Sequence, residues 1–354
     1  MLIATSALDV RDSLVAKEEF DAYYNHLKEN NEKHPWKFET VQGIFKQSDL
    51  KTDDTSYDPL SDHFGLALES WDHLANKIKE LNESSDDNTK YKLCFFARHG
   101  QGYHNLVYQT IGVEPWEDHW SHLESGKPPG VDEHMVWGPD PYLTKLGEQQ
   151  AKYMNSLVKQ ELELGLPMPE KLFVSPFTRS AQTLCLTMDG ICMSKNETPG
   201  WTAGLDTSFG TLKEPLTTVT SESKPAIKLP VVVTETLRET IGSHTCDKRR
   251  QLSQYFNHFS SWGFEPHAHD SKLNSSYLTE EDSLYKQDWR EPIYQQAIRA
   301  NQFLQVVFDG DENIVWSSSH SGMIRGLLMA SGMRNWGVGT AGMVPVLVKA
   351  VREG

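Results

Sequence analysis

The chain has 354 residues, 38% of them hydrophobic, enough to bury a core in one large domain or two modest ones. With 49 acidic against 34 basic side chains the formal charge is -15, which argues against broad nucleic-acid binding or adsorption to an anionic membrane, so an anionic ligand needs a local basic pocket. No run approaches the ~18 consecutive apolar residues of a membrane span, and Met1 to Val10 lacks the basic start and apolar run of a secretory leader. The dispersed Cys94, Cys185, Cys192 and Cys246 form no Cys-x-x-Cys pair, and the expected location is the reduced cytoplasm, with the nucleus as a further option.

From Leu8 to Asn31 apolar residues recur at near-helical spacing and predict an amphipathic helix. Residues 34 to 64 are polar and read as an irregular segment packed over a surface. Leu68, Trp71, Leu74, Ile78 and Leu81 then describe a second helix, ended by the polar run 82 to 88. Residues 1–90 thus read as an N-terminal helical extension packing on a domain that spans 91–354. Tyr91 to Ala97 is a short, continuously apolar run of the kind that forms a strand buried on both faces, and it ends in Arg98-His99-Gly100. Similar runs occur at Lys171 to Val174, Leu229 to Thr234, Ile314 to Ser318 and Val344 to Val348. Helical patterns at Thr144 to Leu164, Phe177 to Met188, Ile293 to Phe308 and Gly322 to Ala330 fall between several of them, which predicts an α/β fold with a mostly parallel sheet. Insertions interrupt the pattern at about 101–138, 199–228 and 255–290. The second is rich in Thr, Ser, Pro, Gly and Lys and predicts an exposed loop; the third holds several aromatics and predicts a folded insertion near the site.

In an open α/β sheet, ligands bind beyond the carboxyl ends of the strands. Collecting the polar residues that follow each apolar run gives Arg98 and His99, then Ser175 to Arg179, then Glu235 and Leu237-Arg238-Glu239, then His320-Ser321-Gly322. Each has a bland reading alone: a histidine is often structural, Arg179 could pair with a carboxylate, and Glu239 could be a charge at a helix start. Together they suit phosphoryl transfer, which needs a nucleophile in line with the leaving oxygen and positive charge around the three equatorial oxygens. Flanking arginines disfavour the imidazolium form and keep His99 able to attack. A carboxylic acid near the leaving oxygen can protonate it and then take a proton from water, and Glu239 is the candidate.

The segment Phe95 to Asn105, with Arg98-His99-Gly100 and Asn105 five residues beyond the glycine, resembles the Arg-His-Gly signature of the histidine phosphatase, or phosphoglycerate mutase-like, superfamily. Leu143-Thr144-Lys145-Leu146-Gly147-Glu148-Gln149-Gln150-Ala151 resembles its Leu-Thr-x-x-Gly-x-x-Gln-Ala helix start. Ser175 to Thr183 resembles its second-arginine segment, Leu237-Arg238-Glu239 its proton-donor segment, and Ser319 to Gly322 its second-histidine segment. Leu237 to Gly242, Cys246 to Arg250 and Trp289-Arg290-Glu291 look like a plant and fungal branch, and Val41 to Ser48 looks fungal within it.

The resemblance implies a three-layer α/β/α sandwich with a mostly parallel central sheet. It also implies a phosphate pocket of Arg98, His99, Arg179 and His320, with Glu239 as general acid and base and Asn105 as a secondary contact. Gln101, Gly102, His104, Ser321, Arg249 and Arg250 are further substrate-contact candidates. His104 could equally orient the loop, and Arg249 and Arg250 could instead pair with Asp247 and Glu239. The glycolytic mutases of the family continue the first motif with Glu-Ser where this chain has Gln101-Gly102, which favours a phosphatase. The expected activity is hydrolysis of a small soluble phosphorylated metabolite through phosphohistidine, with no cofactor and no metal. The alternatives are a phosphomutase or phosphotransferase using the same site, or a catalytically silent phospholigand-binding protein. His267-Ala268-His269-Asp270 reads as a solvated loop rather than a metal site, and Trp116, Trp120 and Trp137 read as the core of a lid.

Overall fold

A computed structural model of the protein describes residues 36–194, 227–264 and 278–352. Its strands are β1 (Trp36–Thr40), β2 (Thr89–Arg98), β3 (Ser125–Gly126), β4 (Met135–Val136), β5 (Lys171–Val174), β6 (Val231–Val233), β7 (Ile314–Ser319) and β8 (Met343–Arg352). Its α-helices are α1 (Trp71–Glu83), α2 (Tyr103–Ile111), α3 (Val113–Asp118), α4 (Lys145–Glu163), α5 (Thr178–Met188), α6 (Leu252–Phe259), α7 (Ile293–Asp309) and α8 (Ser321–Ala330). The expected helix at 8–31, most of the 199–228 loop and the His267-Ala268-His269-Asp270 segment lie outside the described residues.

The main sheet has six strands in the order β1-β8-β2-β7-β5-β6. Strands β2, β7, β5 and β6 run parallel, whereas β8 is antiparallel to both β2 and β1. Strand β2 is buried continuously from Lys92 to Arg98, as its unbroken apolar run requires. Its side chains alternate between two cores. Leu93, Phe95 and Ala97 meet Trp71 and Leu74 of α1, Met154 and Val158 of α4, Leu184 of α5 and Phe256 of α6. Cys94 and Phe96 meet Phe303, Leu304 and Phe308 of α7 and Met323, Leu327 and Leu328 of α8. A helical layer thus covers each face of the sheet, giving the three-layer α/β/α sandwich. Each fully buried Leu or Phe contributes roughly 1.5–3 kcal/mol relative to exposure. Among the described residues no helix is long and apolar enough to cross a membrane.

Local sequence sets the helix starts. Thr144 caps α4 by accepting the Gly147 N–H at 3.1 Å, and Ser70 caps α1 by accepting that of His73 at 3.1 Å. Gly147 also lets the Gln101 carbonyl approach the first turn of α4, where a Cβ would overlap that oxygen. The loop after β2 is therefore clamped against α4.

One expectation is corrected. The 34–64 segment, read as irregular, contributes β1 to the edge of the sheet, paired with β8 from Trp36↔Arg352 to Thr40↔Val348. Trp36, Phe38 and Thr40 face the core while Lys37 and Glu39 face outward. Five residues with two apolar members carry too little signal to separate an edge strand from a polar loop. Short elements α2, α3, β3 and β4 also fill the 101–138 insertion, where Val107, Trp116, Met135 and Trp137 form a satellite core with Cys246.

Candidate active site

The ladder of the parallel strands continues into the loops that follow them. The His99 N–H donates to the Ser319 carbonyl at 3.0 Å, Ser175 N–H to Ser318 at 3.0 Å, and Thr234 N–H to Val174 at 2.9 Å. Ala341 N–H donates to the His99 carbonyl at 2.8 Å, so the main chain of His99 is held from both sides. These bonds bring Arg98, His99, Arg179 and His320 to one edge of the sheet.

The His99 ring is almost wholly buried, and its Nδ1 lies 2.6 Å from the Gly100 carbonyl oxygen. A carbonyl only accepts, so Nδ1 carries the proton and the lone pair of the neutral ring resides on Nε2. Burial, then the Arg179 and Arg98 guanidinium groups, hold the imidazole well below the usual histidine range. The ring of His320 stands edge-on to His99 with centroids 5.0 Å apart, and its Nε2 lies 2.8 Å from Ser175 Oγ. Burial and Arg179 depress His320 as well, followed by His99. Arg98 donates NH1 to the Val338 carbonyl at 2.8 Å. Arg179, stacked 4.6 Å over the Phe177 ring, donates NH1 to the Cys246 carbonyl at 2.9 Å and NH2 to Asp247 Oδ1 at 3.1 Å. Nε of Arg179 and Nδ1 of both His320 and His104 are buried without a partner.

Above these groups opens a cleft of about 180 Å³ lined by Arg98, His99, His104, Asn105, Glu239 and Ser321, among others. Glu239 sits at the start of α8: its Oε2 accepts from the Gly322 N–H at 3.4 Å and its Oε1 from the Thr240 N–H at 3.0 Å. A helix N-terminus favours a carboxylate there. A Cβ on Gly322 would overlap Glu239 Oε1, so only glycine leaves the carboxylate its seat. The His104 ring lies 5.4 Å from that of His99, and burial, then Arg179, keep it neutral. Asn105 Oδ1 accepts the Gly102 N–H at 2.9 Å, which fixes the start of α2.

Six expected site residues do not line the cleft: Arg179 and His320 are wholly buried beside it, and four others are tied up elsewhere. Gln101 is tied to Gln109 at 2.7 Å and to Thr144 at 2.8 Å, and Gly102 serves as the N-cap of α2. Arg249 pairs with the buried Glu235 at 2.8 Å and donates to the carbonyls of Thr279, Glu280 and Glu281. Arg250 pairs with Asp140 at 2.7 Å and with the Tyr142 hydroxyl at 2.9 Å. Both arginines therefore bind the chain to itself, through carboxylates other than the Asp247 and Glu239 named from sequence.

Sequence reasoning missed Arg290, Arg325, His244, Asp247 and Glu117 as lining groups. Arg325 had a readable signal, being one helical turn beyond Ser321 and so on the same face of α8. Arg290 stood out only within the Trp289-Arg290-Glu291 resemblance, and no local pattern reveals the return of that segment to the cleft. His244, Cys246 and Asp247 bring potential ligand atoms within 4.8 Å of one another. Asp247, however, already pairs with Arg179 and Arg290, and two guanidinium groups make this a poor seat for a cation.

A three-layer α/β/α protein whose buried histidines and arginines gather beyond the carboxyl ends of parallel strands is the class that the fold and this site define. No family model matches the chain. A "Probable phosphoglycerate mutase" of Saccharomyces cerevisiae is 32% identical over 277 residues, covering 75% of this chain and 82% of that protein. Another "Probable phosphoglycerate mutase", from Arthroderma benhamiae, is 28% identical over 328 residues, covering 88% and 84%. Among solved structures, the ecdysone phosphate phosphatase of Bombix mori in complex with tungstate is 15% identical, with a TM-score of 0.36 over 68% of this chain and 76% of that one. The chain belongs to the phosphoglycerate mutase-like proteins of the histidine phosphatase superfamily.

Proposed function

We propose that the protein hydrolyses a small phosphate monoester through a phosphohistidine at His99. The observation that carries this reading is the proton arrangement of His99: Nδ1 is committed to the Gly100 carbonyl, and burial with two arginines keeps Nε2 unprotonated. Nε2 attacks phosphorus as the ester P–O bond breaks, and Glu239 gives its proton to the departing alkoxide. Glu239 then takes a proton from water, whose oxygen attacks the phosphohistidine; the P–N bond breaks, and phosphate and neutral His99 are released. Arg98, Arg179 and His320 hold the equatorial oxygens. The partnerless Nδ1 of His104, a residue that lines the cleft, supports this, because a bound oxyanion would satisfy it.

The names of the yeast and Arthroderma relatives favour a second reading, transfer of the phosphoryl group to an acceptor alcohol. An aryl phosphate assayed with and without an added alcohol separates the two: stoichiometric release of inorganic phosphate supports hydrolysis, and a new phosphate ester supports transfer. Full activity in His99→Ala would remove both. Tight binding of phosphate esters with no turnover by the wild type would instead revive the silent binding protein.

A further inference from the structure

The segment that carries Glu239 is gripped from behind by a side chain of α7. Arg299 keeps 12% of its side chain exposed and stands outside the cleft. Its NH1 donates to the Arg238 carbonyl at 3.0 Å and, at 3.4 Å each, to those of Glu235 and Thr236. Its NH2 donates to the Glu239 carbonyl at 3.1 Å. Glu291 takes the rest of the fork, accepting from Nε at 2.7 Å and from NH2 at 2.5 Å. Glu291 also holds the far side of Glu239: its Oε2 accepts the Ile241 N–H at 3.0 Å, and its own N–H donates to the Ile241 carbonyl at 2.8 Å. Gln296, on the same helix, donates to Thr240 Oγ1 at 2.5 Å, and that hydroxyl donates to Glu239 Oε1 at 3.3 Å.

A tie that merely joined α7 to the sheet would need one such bond, anywhere along the loop. Here one guanidinium collects the carbonyls of Glu235, Thr236, Arg238 and Glu239, and its carboxylate partner takes Ile241. The loop is neither strand nor α-helix: a 3-10 turn at Glu235–Leu237 passes into extended backbone at Arg238, so its shape depends on outside partners. A planar fork fixes several carbonyls relative to one another, which an ammonium cannot do. Paired with Glu291, Arg299 adds no net charge beside the site, so its effect on Glu239 is one of geometry. Resting on the phosphatase reading above, we propose that Arg299, with Glu291, is a positioning residue for proton transfer. By fixing the main chain on both sides of Glu239, it holds that carboxyl within reach of the leaving oxygen.

The leaving group supplies the test. An alkoxide departs only with a proton, whereas dinitrophenolate departs without one. Because kcat/KM covers the steps up to phosphorylation of His99, the ratio of kcat/KM for an alkyl phosphate to that for dinitrophenyl phosphate reads proton donation alone. A loss of folded enzyme cancels in that ratio. Arg299→Gln should lower it by about tenfold or more, the scale of a small displacement of a catalytic group. Arg299→Lys should keep part of it, and Glu239→Gln should set the floor. Should Arg299→Gln not fold, the double variant Arg299→Gln/Glu291→Gln, which leaves no charge unpaired, is measured in its place with the same expectation. A ratio that falls in Glu239→Gln but is unmoved in the Arg299 variants overturns the positioning role and leaves the phosphatase reading standing. A ratio unmoved in Glu239→Gln as well removes Glu239 as donor, and the role of Arg299 with it. Absence of His99-dependent phosphate release from either ester in the wild type would instead sink the phosphatase reading itself, and the positioning role that rests on it.

Discussion

Glu239 Oε2 accepts the Gly322 N–H at 3.4 Å, and the absence of a side chain at 322 is what makes room for that carboxylate. Gly322→Ala should therefore lower kcat on an aryl phosphate by about 10- to 100-fold, the cost of displacing a catalytic group by an ångström or so. Glu239→Gln should lower it at least as much. Steady-state phosphate release together with a thermal melt checks this: a Gly322→Ala enzyme with wild-type kcat would show that Glu239 is not the proton donor.

His99→Ala should abolish formation of an acid-labile, base-stable phosphoenzyme and lower phosphate release by about 10³-fold or more, as loss of a nucleophile does. Rapid quench with radiolabelled ester measures the first quantity and steady-state assay the second. Labelling that persists in the variant would place the nucleophile elsewhere.

Glu235 is a buried carboxylate held between two buried guanidinium groups, Arg249 at 2.8 Å and Arg238 at 3.2 Å, and Arg238 also pairs with Asp282 at 2.8 Å. Glu235→Ala strips Arg249 of its carboxylate and should destabilise the fold by about 3–5 kcal/mol, the cost of leaving buried charge unpaired. Urea denaturation gives the number. A loss below about 1 kcal/mol would mean that water enters to replace the carboxylate.

Four histidines, His99 and His320 buried and His104 and His258 half-buried, share one linkage. His99, His104 and His320 are held well below the normal range by burial and then by Arg179; His258 is lowered to about 3 by burial and Arg250. Each binds a proton in the unfolded chain below about pH 6.5 but resists it when folded. The unfolded state then holds more protons, so stability is full above about pH 6.5 and falls as pH drops toward the folded values, by up to about 1.4 kcal/mol per pH unit per ring. Stability should therefore decline steeply between pH 6 and 4, and His258→Gln should remove one ring's share of the slope. Chemical denaturation at several pH values reads it; a flat profile over that range would contradict the buried, neutral assignment.

Activity on an aryl phosphate is expected to survive exhaustive treatment with a chelator, since arginines supply the positive charge that a metal would otherwise bring. Loss on chelation with recovery on adding back a divalent ion would assign the charge differently.

The parallel core was legible because strands buried on both faces are written as unbroken apolar runs, and α4 and α1 because their apolar residues recur at helical spacing. The placement of Arg98, His99, Glu239 and His320 at one sheet edge followed from strand polarity alone. What local pattern could not reveal was which side chains are satisfied by distant partners. Arg249 and Arg250 look like cleft arginines until Glu235 and Asp140, 14 and 110 residues away, are seen to occupy them. Arg290, visible only as part of the Trp289-Arg290-Glu291 resemblance, is brought to the cleft by its bond to Asp247, 43 residues earlier.

Strand β1 carries a practical consequence for anyone seeking a minimal catalytic unit. It covers the outer flank of β8 from Val348 to Arg352. Trimming the polypeptide at residue 41 would leave that flank's main-chain donors and acceptors bare, a template on which further copies could stack. The segment with the faintest signature is thus the one that occupies the flank of β8.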